Sequence, residues 1–329
     1  RRKKLCVMPL VRGVWTLEQT KKRDWSAFLR GMQSVIGLLG LCVVLSLLSP
    51  RFLRWGNILN VLTQTSLNAV MAIGMTFVIL TGGIDLSVGS VLAFSGMITA
   101  GMIRSGFNVW IAVIAGLAVG TALGFVNGLS VTKGKVPPFI ATLAMMTMAR
   151  GATLVYSNGQ PKSNLGKAFG FLGQGRILSI PVPVIILLLV FIISYYILGQ
   201  TSTGRYIYAT GSNEKAAKLS GIKTDNIKLL VYAISGFTAA LTGMVVTSML
   251  DSASPNAGTG AELDAIAAVV LGGTSLSGGQ GSVVGTIIGA LIIGVLNNGL
   301  NLLNVSSYYQ QLIKGVVILV AVLIDRRKR

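Results

Sequence analysis

The chain has 329 residues, 52% of them hydrophobic and only 11% charged, whereas a soluble domain carries about 25% charged residues; most of this sequence is not made for water. Its formal net charge of +19 does not describe a nucleic-acid surface, because the basic residues gather beside apolar runs instead of interleaving with aromatics on a polar domain. With no histidine, a Ser-His-Asp triad and a histidine metal site are excluded, and two cysteines, Cys6 and Cys42, make no disulfide framework.

In chain order, residues 1–30 form a basic segment with nine Lys and Arg, read as cytoplasmic. The apolar run that follows is long and lacks a small-residue cleavage site, which predicts an uncleaved anchor rather than a signal peptide. Further apolar runs predict helices near 31–49, 58–80, 86–103, 109–130, 139–156, 184–199, 229–250, 262–272, 283–303 and 308–324. The expected fold is therefore an all-α polytopic membrane protein of about ten transmembrane helices with a weak internal repeat, its membrane domain covering 31–325 and a basic tail 326–329 closing the chain. A bilayer core of about 30 Å needs about 20 apolar residues per helix, so the eighth segment must be tilted with irregular ends or re-entrant.

On this register the basic clusters at 1–30, 133–135, 205–228 and 326–329 all fall on one side, twenty residues against six on the other (Arg51, Arg54, Arg104, Lys162, Lys167 and Arg176). That asymmetry places both ends in the cytoplasm. Arg150 and Lys314 sit within spans toward the outer end, where long side chains can snorkel.

The repeat is visible where VILTGGIDLSVGSVL (78–92) resembles VVLGGTSLSGGQGSVV (269–284). Each reads as an apolar helix, a glycine break and a second helix opening on GSV. Glycine-interrupted apolar segments at corresponding positions are typical of transporters. Gly116, Gly120, Gly124 and Gly128 recur every fourth residue, as do Gly281, Gly285 and Gly289. That spacing aligns glycines on one face and predicts close helix packing, more often within one subunit than between two.

Asp85 is the acid that stands inside an apolar stretch. A carboxylate there is costly unless paired, hydrated or capping. Gly82 and Gly83 can end one helix, and Asp85 can cap the next by accepting from the amides of Ser87 and Val88. The functional reading, compatible with capping, is a broken helix bordering a solute pathway in which Asp85 and Ser87 meet a hydroxylated solute. Other polar groups scattered through the spans are candidates for the same pathway: Gln64 and Asn68, Asn127, and Asn297, Asn298 and Asn301. Amides both donate and accept without imposing charge, which suits neutral polyols; hydrogen bonding between helices is the alternative for each.

Ion-coupled transporters bury paired carboxylates or proton relays, and those are missing. So is a Walker motif: GQTSTGRY (199–206) places Arg205 and Tyr206 where a Lys and a Ser or Thr are required. Energy must come from a partner, or the chain is a passive pore. The loop 200–228 is the candidate contact. Within it Ser212 or Asn213 can cap a short helix, Gly221 can end it, and Glu214 with Lys218 forms a supportive i,i+4 pair.

EKAAKLSG (214–221) resembles the EAA-x-x-x-G loop of bacterial ABC importer permeases, with Lys215 in place of the usual first alanine. GIDLSVGS, GRYIYATGSNEKAAKLSGIK, ELDAIAAVVLGGTSLSGGQGSVVGT and IGVLNNGLNLLNVSSYYQ resemble the ribose permeases of the carbohydrate-uptake ABC importer family, over about residues 50–325. The resemblance implies a permease dimer in the bacterial inner membrane, a cytoplasmic ATPase that holds ATP and Mg, and a periplasmic sugar-binding protein. The permease itself would carry no cofactor, bind no nucleic acid and hydrolyse nothing. Glu214, Lys215, Ala216, Ala217 and Gly221 would then dock the ATPase, and Asp251, Glu262 and Asp264 would meet the binding protein. Another sugar or a nucleoside, or a stand-alone facilitator, are the alternative readings.

Overall fold

The computed structural model describes residues 33–327; the predicted basic segment 1–30 and the last two residues of the predicted tail lie outside them. Helices occupy all ten predicted segments: α1 (Gln33–Leu48), α2 (Trp55–Leu80), α3 (Val88–Arg104), α4 (Val109–Thr132), α5 (Pro138–Ser157), α7 (Val182–Gln200), α10 (Thr224–Met249), α11 (Ala261–Leu271), α12 (Val283–Leu302) and α13 (Ser307–Arg327). Three short helices, α6 (Lys167–Gln174), α8 (Ser202–Ser212) and α9 (Glu214–Leu219), lie in connections. Six helices, α2, α4, α5, α7, α10 and α12, are long and apolar enough to cross a membrane. The chain is a multi-pass helical membrane protein.

Four two-residue strands belong to the loops: β1 (Lys162–Ser163), β2 (Arg176–Ile177), β3 (Ile180–Pro181) and β4 (Ser252–Ala253). β1 pairs antiparallel with β4 and β2 with β3. The first pair ties together the loops that follow α5 and α10.

α10 lies at the centre, packed on α2, α3 and α4. The glycine row of α4 makes this closeness possible. Gly124 lies against the Tyr232 carbonyl and Gly236, Gly120 against Ala240 and the Gly236 carbonyl, and Gly128 against Leu229. The partner face is thus in the same chain. On α12, Gly285 and Gly289 press on Gly272 and Ala268 at the end of α11. Gly281, the third member of that predicted row, precedes the helix and sits in the break instead.

Both copies of the weak repeat end their first helix in the same way. After Leu80, Gly82 adopts φ +79°, its amide donates to the Ile79 carbonyl (2.9 Å), and the Gly83 amide to that of Val78 (3.2 Å). After Leu271, Gly273 adopts φ +86° and donates to Val270 (2.9 Å), and Thr274 to Val269 (3.2 Å). These are Schellman closures, which need a left-handed residue that glycine supplies without strain. The two breaks touch: the Gly279 amide donates to the Leu80 carbonyl (2.9 Å), and both lie against Gly211 of α8. The second helices differ. α12 opens on its GSV with Ser282 accepting from the Gly285 amide (3.0 Å), whereas α3 is already helical at Val88, ahead of its own GSV.

α3 and α11 are shorter, 17 and 11 residues. Asp85 faces Ser235, at the middle of α10, and Gly243 and Thr247 follow alongside Leu92 and Gly96, so α3 begins near half-height and runs to one end. Gly89 in its first turn lies against Gly258, two residues before the N-cap of α11. α11 then runs the opposite way, ending where the Leu271 carbonyl accepts from Ser34 at the start of α1 (2.6 Å). Each of the two helices is preceded by non-helical backbone, 81–87 and 254–260. Such backbone is tolerated at membrane depth only when protein satisfies it. Here the Arg150 guanidinium does so for the second segment, donating to the carbonyls of Pro255 (2.6 Å) and Ala257 (2.8 Å). Arg150 was expected to snorkel outward; two orphan carbonyls beside it offer a nearer partner than water.

Candidate functional site

α9 is a largely exposed short helix. Asn213, not Ser212, caps it by accepting from the Ala216 amide (3.0 Å). Its far end is a third Schellman closure, Gly221 at φ +85° donating to Lys218 (3.0 Å) and Ile222 to Ala217 (3.1 Å). Glu214 pairs with Lys218 one turn on (3.0 Å), as the spacing predicted, and also with Lys228 of α10 (2.7 Å). The second pair was not legible, because it joins residues of two helices. Partial burial alone would raise the Glu214 carboxyl, but the hydrogen bonds and charges of Lys228 and Lys218 outweigh it and hold the group below its ordinary 4.5. Ala217 is buried against the protein, while Lys215, Ala216 and Ser220 face outward and Leu219 is 91% exposed. The result is a six-residue helix clamped at both ends that shows an apolar tip, Leu219, to solvent.

The second assembly surrounds Asp85, which is fully buried. One carboxylate oxygen accepts from the Ser87 amide (3.0 Å) and hydroxyl (2.6 Å), the other from the Ser235 hydroxyl (2.7 Å). Asn127 of α4 donates to the Ser87 hydroxyl oxygen (2.9 Å), and Thr142 of α5 to the Ile84 carbonyl (3.2 Å). The predicted bond from Ser87 is present, while the Ser235 hydroxyl is a partner that the sequence did not suggest. Asp85, Ser87 and Asn127 are thus brought together, and with them Ser235; all four are at most 1% exposed. The arrangement fastens the 81–87 break to α4, α5 and α10 at once. Tyr232, whose hydroxyl abuts Gly83 without a hydrogen-bond partner, completes its wall.

The remaining amides lie elsewhere. Asn298 pairs reciprocally with Asn57 of α2, both contacts 2.9 Å. Asn301 accepts from Gln310 of α13 (2.8 Å). Gln64 is exposed, Asn68 half-buried, and the Asn297 carbonyl oxygen is buried without a partner. Of the three acids expected on the outer surface, Asp251 accepts from the Leu165 amide (2.9 Å) and Asp264 pairs with Lys314 (2.9 Å). Glu262 sits in the first turn of α11 within the field of Arg150. Lys314, like Arg150, finds a partner inside the chain rather than snorkelling. Among the described residues no group of three His, Cys, Asp or Glu could hold a metal ion.

The sequence profile of the family described as "Branched-chain amino acid transport system / permease component" matches residues 57–322. The ribose import permease protein RbsC of Escherichia coli K12 is 55% identical over 308 residues, 92% of this chain and 96% of that one. The Bacillus subtilis protein of the same name is 54% identical over 312 residues, 94% and 97% of the two chains. The D-allose transport system permease protein AlsC of E. coli K12 is 44% identical over 283 residues, 85% and 86%. No solved structure matches the chain.

Proposed function

From the membership of this chain in the branched-chain amino acid transport system permease family, we propose that it is the membrane-spanning permease subunit of an ATP-driven ABC importer and that its solute is ribose. The observation that carries the reading is the near-full-length identity to ribose import permeases of two distant bacteria. The chain lies in the bacterial inner membrane with both termini cytoplasmic, crossing ten times, α3 and α11 completing their crossings with non-helical backbone.

The chain works as one of two protomers in contact with bilayer lipid. α9, through Glu214, Lys215, Ala216, Ala217 and Gly221, docks a cytoplasmic ATPase, which binds the ATP and Mg and performs the hydrolysis. The exposed tip of this element, Leu219, supplies its apolar anchor. A periplasmic sugar-binding protein delivers solute to the opposite side, near the loop held by Asp251. The same-family alternative is another neutral sugar, favoured by the similarity to the D-allose permease.

The test is ATP hydrolysis by this chain in nanodiscs with its ATPase and sugar-loaded binding protein. Ribose-dependent hydrolysis that disappears in a Glu214→Ala, Gly221→Pro variant supports importer and docking element together. Hydrolysis stimulated by D-allose alone moves the solute assignment. Liposomes holding this chain alone that leak ribose replace the importer with a facilitator.

A further inference from the structure

α2 divides into two parts. From Ala69 to Leu80 every residue is buried, whereas from Trp55 to Asn68 the helix is partly uncovered, with Leu62 exposed on one side. The strip opposite Leu62 is polar: Asn60 and Gln64 are exposed and Asn68, one turn further, is half-buried. These three recur at i, i+4 and i+8 and therefore share a face. Trp55, 70% exposed at the start of the helix, is the kind of residue that marks a membrane interface. Gln64 follows nine residues later, about 14 Å along the axis, which puts its amide inside the hydrocarbon layer of about 30 Å.

Lipid cannot be what faces this strip, because an amide exposed to hydrocarbon has no hydrogen-bond partner. The contrast with α7 is direct: along its middle the uncovered residues are Leu188, Leu189, Ile192 and Ile193, followed by Tyr195 and Tyr196, with an exposed amide only at its last residue, Gln200. α12 adds to the same flank. It runs antiparallel to α2, with Asn57 on Asn298, Thr65 on Gly294 and Thr76 on Thr286. In antiparallel helices the residue preceding each contact lies on one common side. Asn60 and Gln64 precede Val61 and Thr65, and Asn297 precedes Asn298, so the unpartnered Asn297 carbonyl oxygen belongs beside the Asn60–Gln64 strip.

Resting on the importer reading, we infer that Asn60, Gln64 and Asn68 of α2, with Asn297 of α12, form the solute-facing wall of the translocation pathway for a neutral polyhydroxylated sugar. Amides on both helices offer donors and acceptors without charge, matching hydroxyls that do both. Asp85 and Asn127 are walled off in the interior and belong to the scaffold behind the pathway.

The experiment is cysteine accessibility in the full importer in nanodiscs, with Cys6 and Cys42 replaced by serine. Gln64→Cys is compared with Ile192→Cys on the lipid face, using a positively charged methanethiosulfonate reagent. Expected are rapid modification of Gln64→Cys, slowed at least fivefold by ribose-loaded binding protein, and none of Ile192→Cys. Gln64→Leu lowers ribose uptake at least tenfold with unchanged co-purification of the ATPase, and Gln64→Asn recovers part of it. A Gln64→Cys that stays unmodified, or that forms a disulfide with a second copy of the chain, overturns the wall and makes the strip a protomer contact. Modification indifferent to sugar, with normal uptake by Gln64→Leu, overturns it as well. If the wild type responds to D-allose and not ribose, the solute assignment falls and protection by D-allose decides the wall on its own.

Discussion

Replacing Asp85 by alanine separates a scaffold role from a pathway role. The carboxylate accepts three hydrogen bonds in a fully buried setting, from the Ser87 amide and from the hydroxyls of Ser87 and Ser235. Alanine removes both acceptor oxygens and with them all three bonds. A buried donor left without a partner costs about 1–3 kcal/mol. The Ser87 amide cannot turn away and bears that penalty in full, whereas serine hydroxyls in helices can redirect to a carbonyl four residues back, as Thr142 does toward Pro138 (2.9 Å). The net loss is therefore roughly 2–4 kcal/mol, which at about 2–4 °C per kcal/mol amounts to on the order of 5–10 °C. Thermal unfolding of the purified chain in nanodiscs, together with its membrane level, measures this. Asp85→Asn, which keeps one acceptor oxygen and gives Ser235 a donor that its hydroxyl can accept from, should lose less than half as much. An Asp85→Ala protein with unchanged thermal stability and full membrane level, yet defective uptake, would refute the scaffold reasoning and return Asp85 to the pathway.

Arg150→Met leaves the Pro255 and Ala257 carbonyls without their donor; at about 1.5–3 kcal/mol for a charged hydrogen bond, the amides of Ala257 and Ala261 should exchange with deuterium at least tenfold faster, by roughly 1.4 kcal/mol per decade. Lys314→Met strands a carboxylate in a pair whose side chains are 24% and 15% exposed; it should cost about 1–2 kcal/mol after allowance for partial solvation, and most of this should return in the double variant with Asp264→Asn. The Glu214 carboxyl is held low by Lys228 and Lys218, so the stabilisation it gives α9 is fully present above its ordinary 4.5 and is lost only as pH falls further, through the folded-state value. Exchange protection of the Ala217 and Ser220 amides should follow that profile in the wild type and be flat across it in Glu214→Gln.

Local chemistry was readable wherever one stretch of chain contained all the participants. The three Schellman closures at Gly82, Gly221 and Gly273 follow from glycine's access to positive φ, and the Glu214–Lys218 pair follows from helix periodicity. The glycine row of α4 announced a close partner but not its identity, since any helix with small residues would fit; Gly236 on α10 is that partner. Asn60 escaped notice in the sequence, where it is one amide among many, and only its exposure on the same face as Gln64 singles it out.

By itself the sequence determined that the chain lies in a bilayer, where its helical segments run, which loop is clamped into a short capped helix and which family it resembles, because apolar run length, capping residues and charge clusters act over a few neighbours. Only the tertiary structure decided that the breaks before α3 and α11 meet at Gly89 and Gly258, that Arg150 and Lys314 turn inward, and that Asp85 is enclosed. The reason is physical. In a medium without water each polar group must be satisfied by another part of the protein, and which part lies within reach, such as Ser235 for an aspartate 150 residues earlier, is set by how the helices pack.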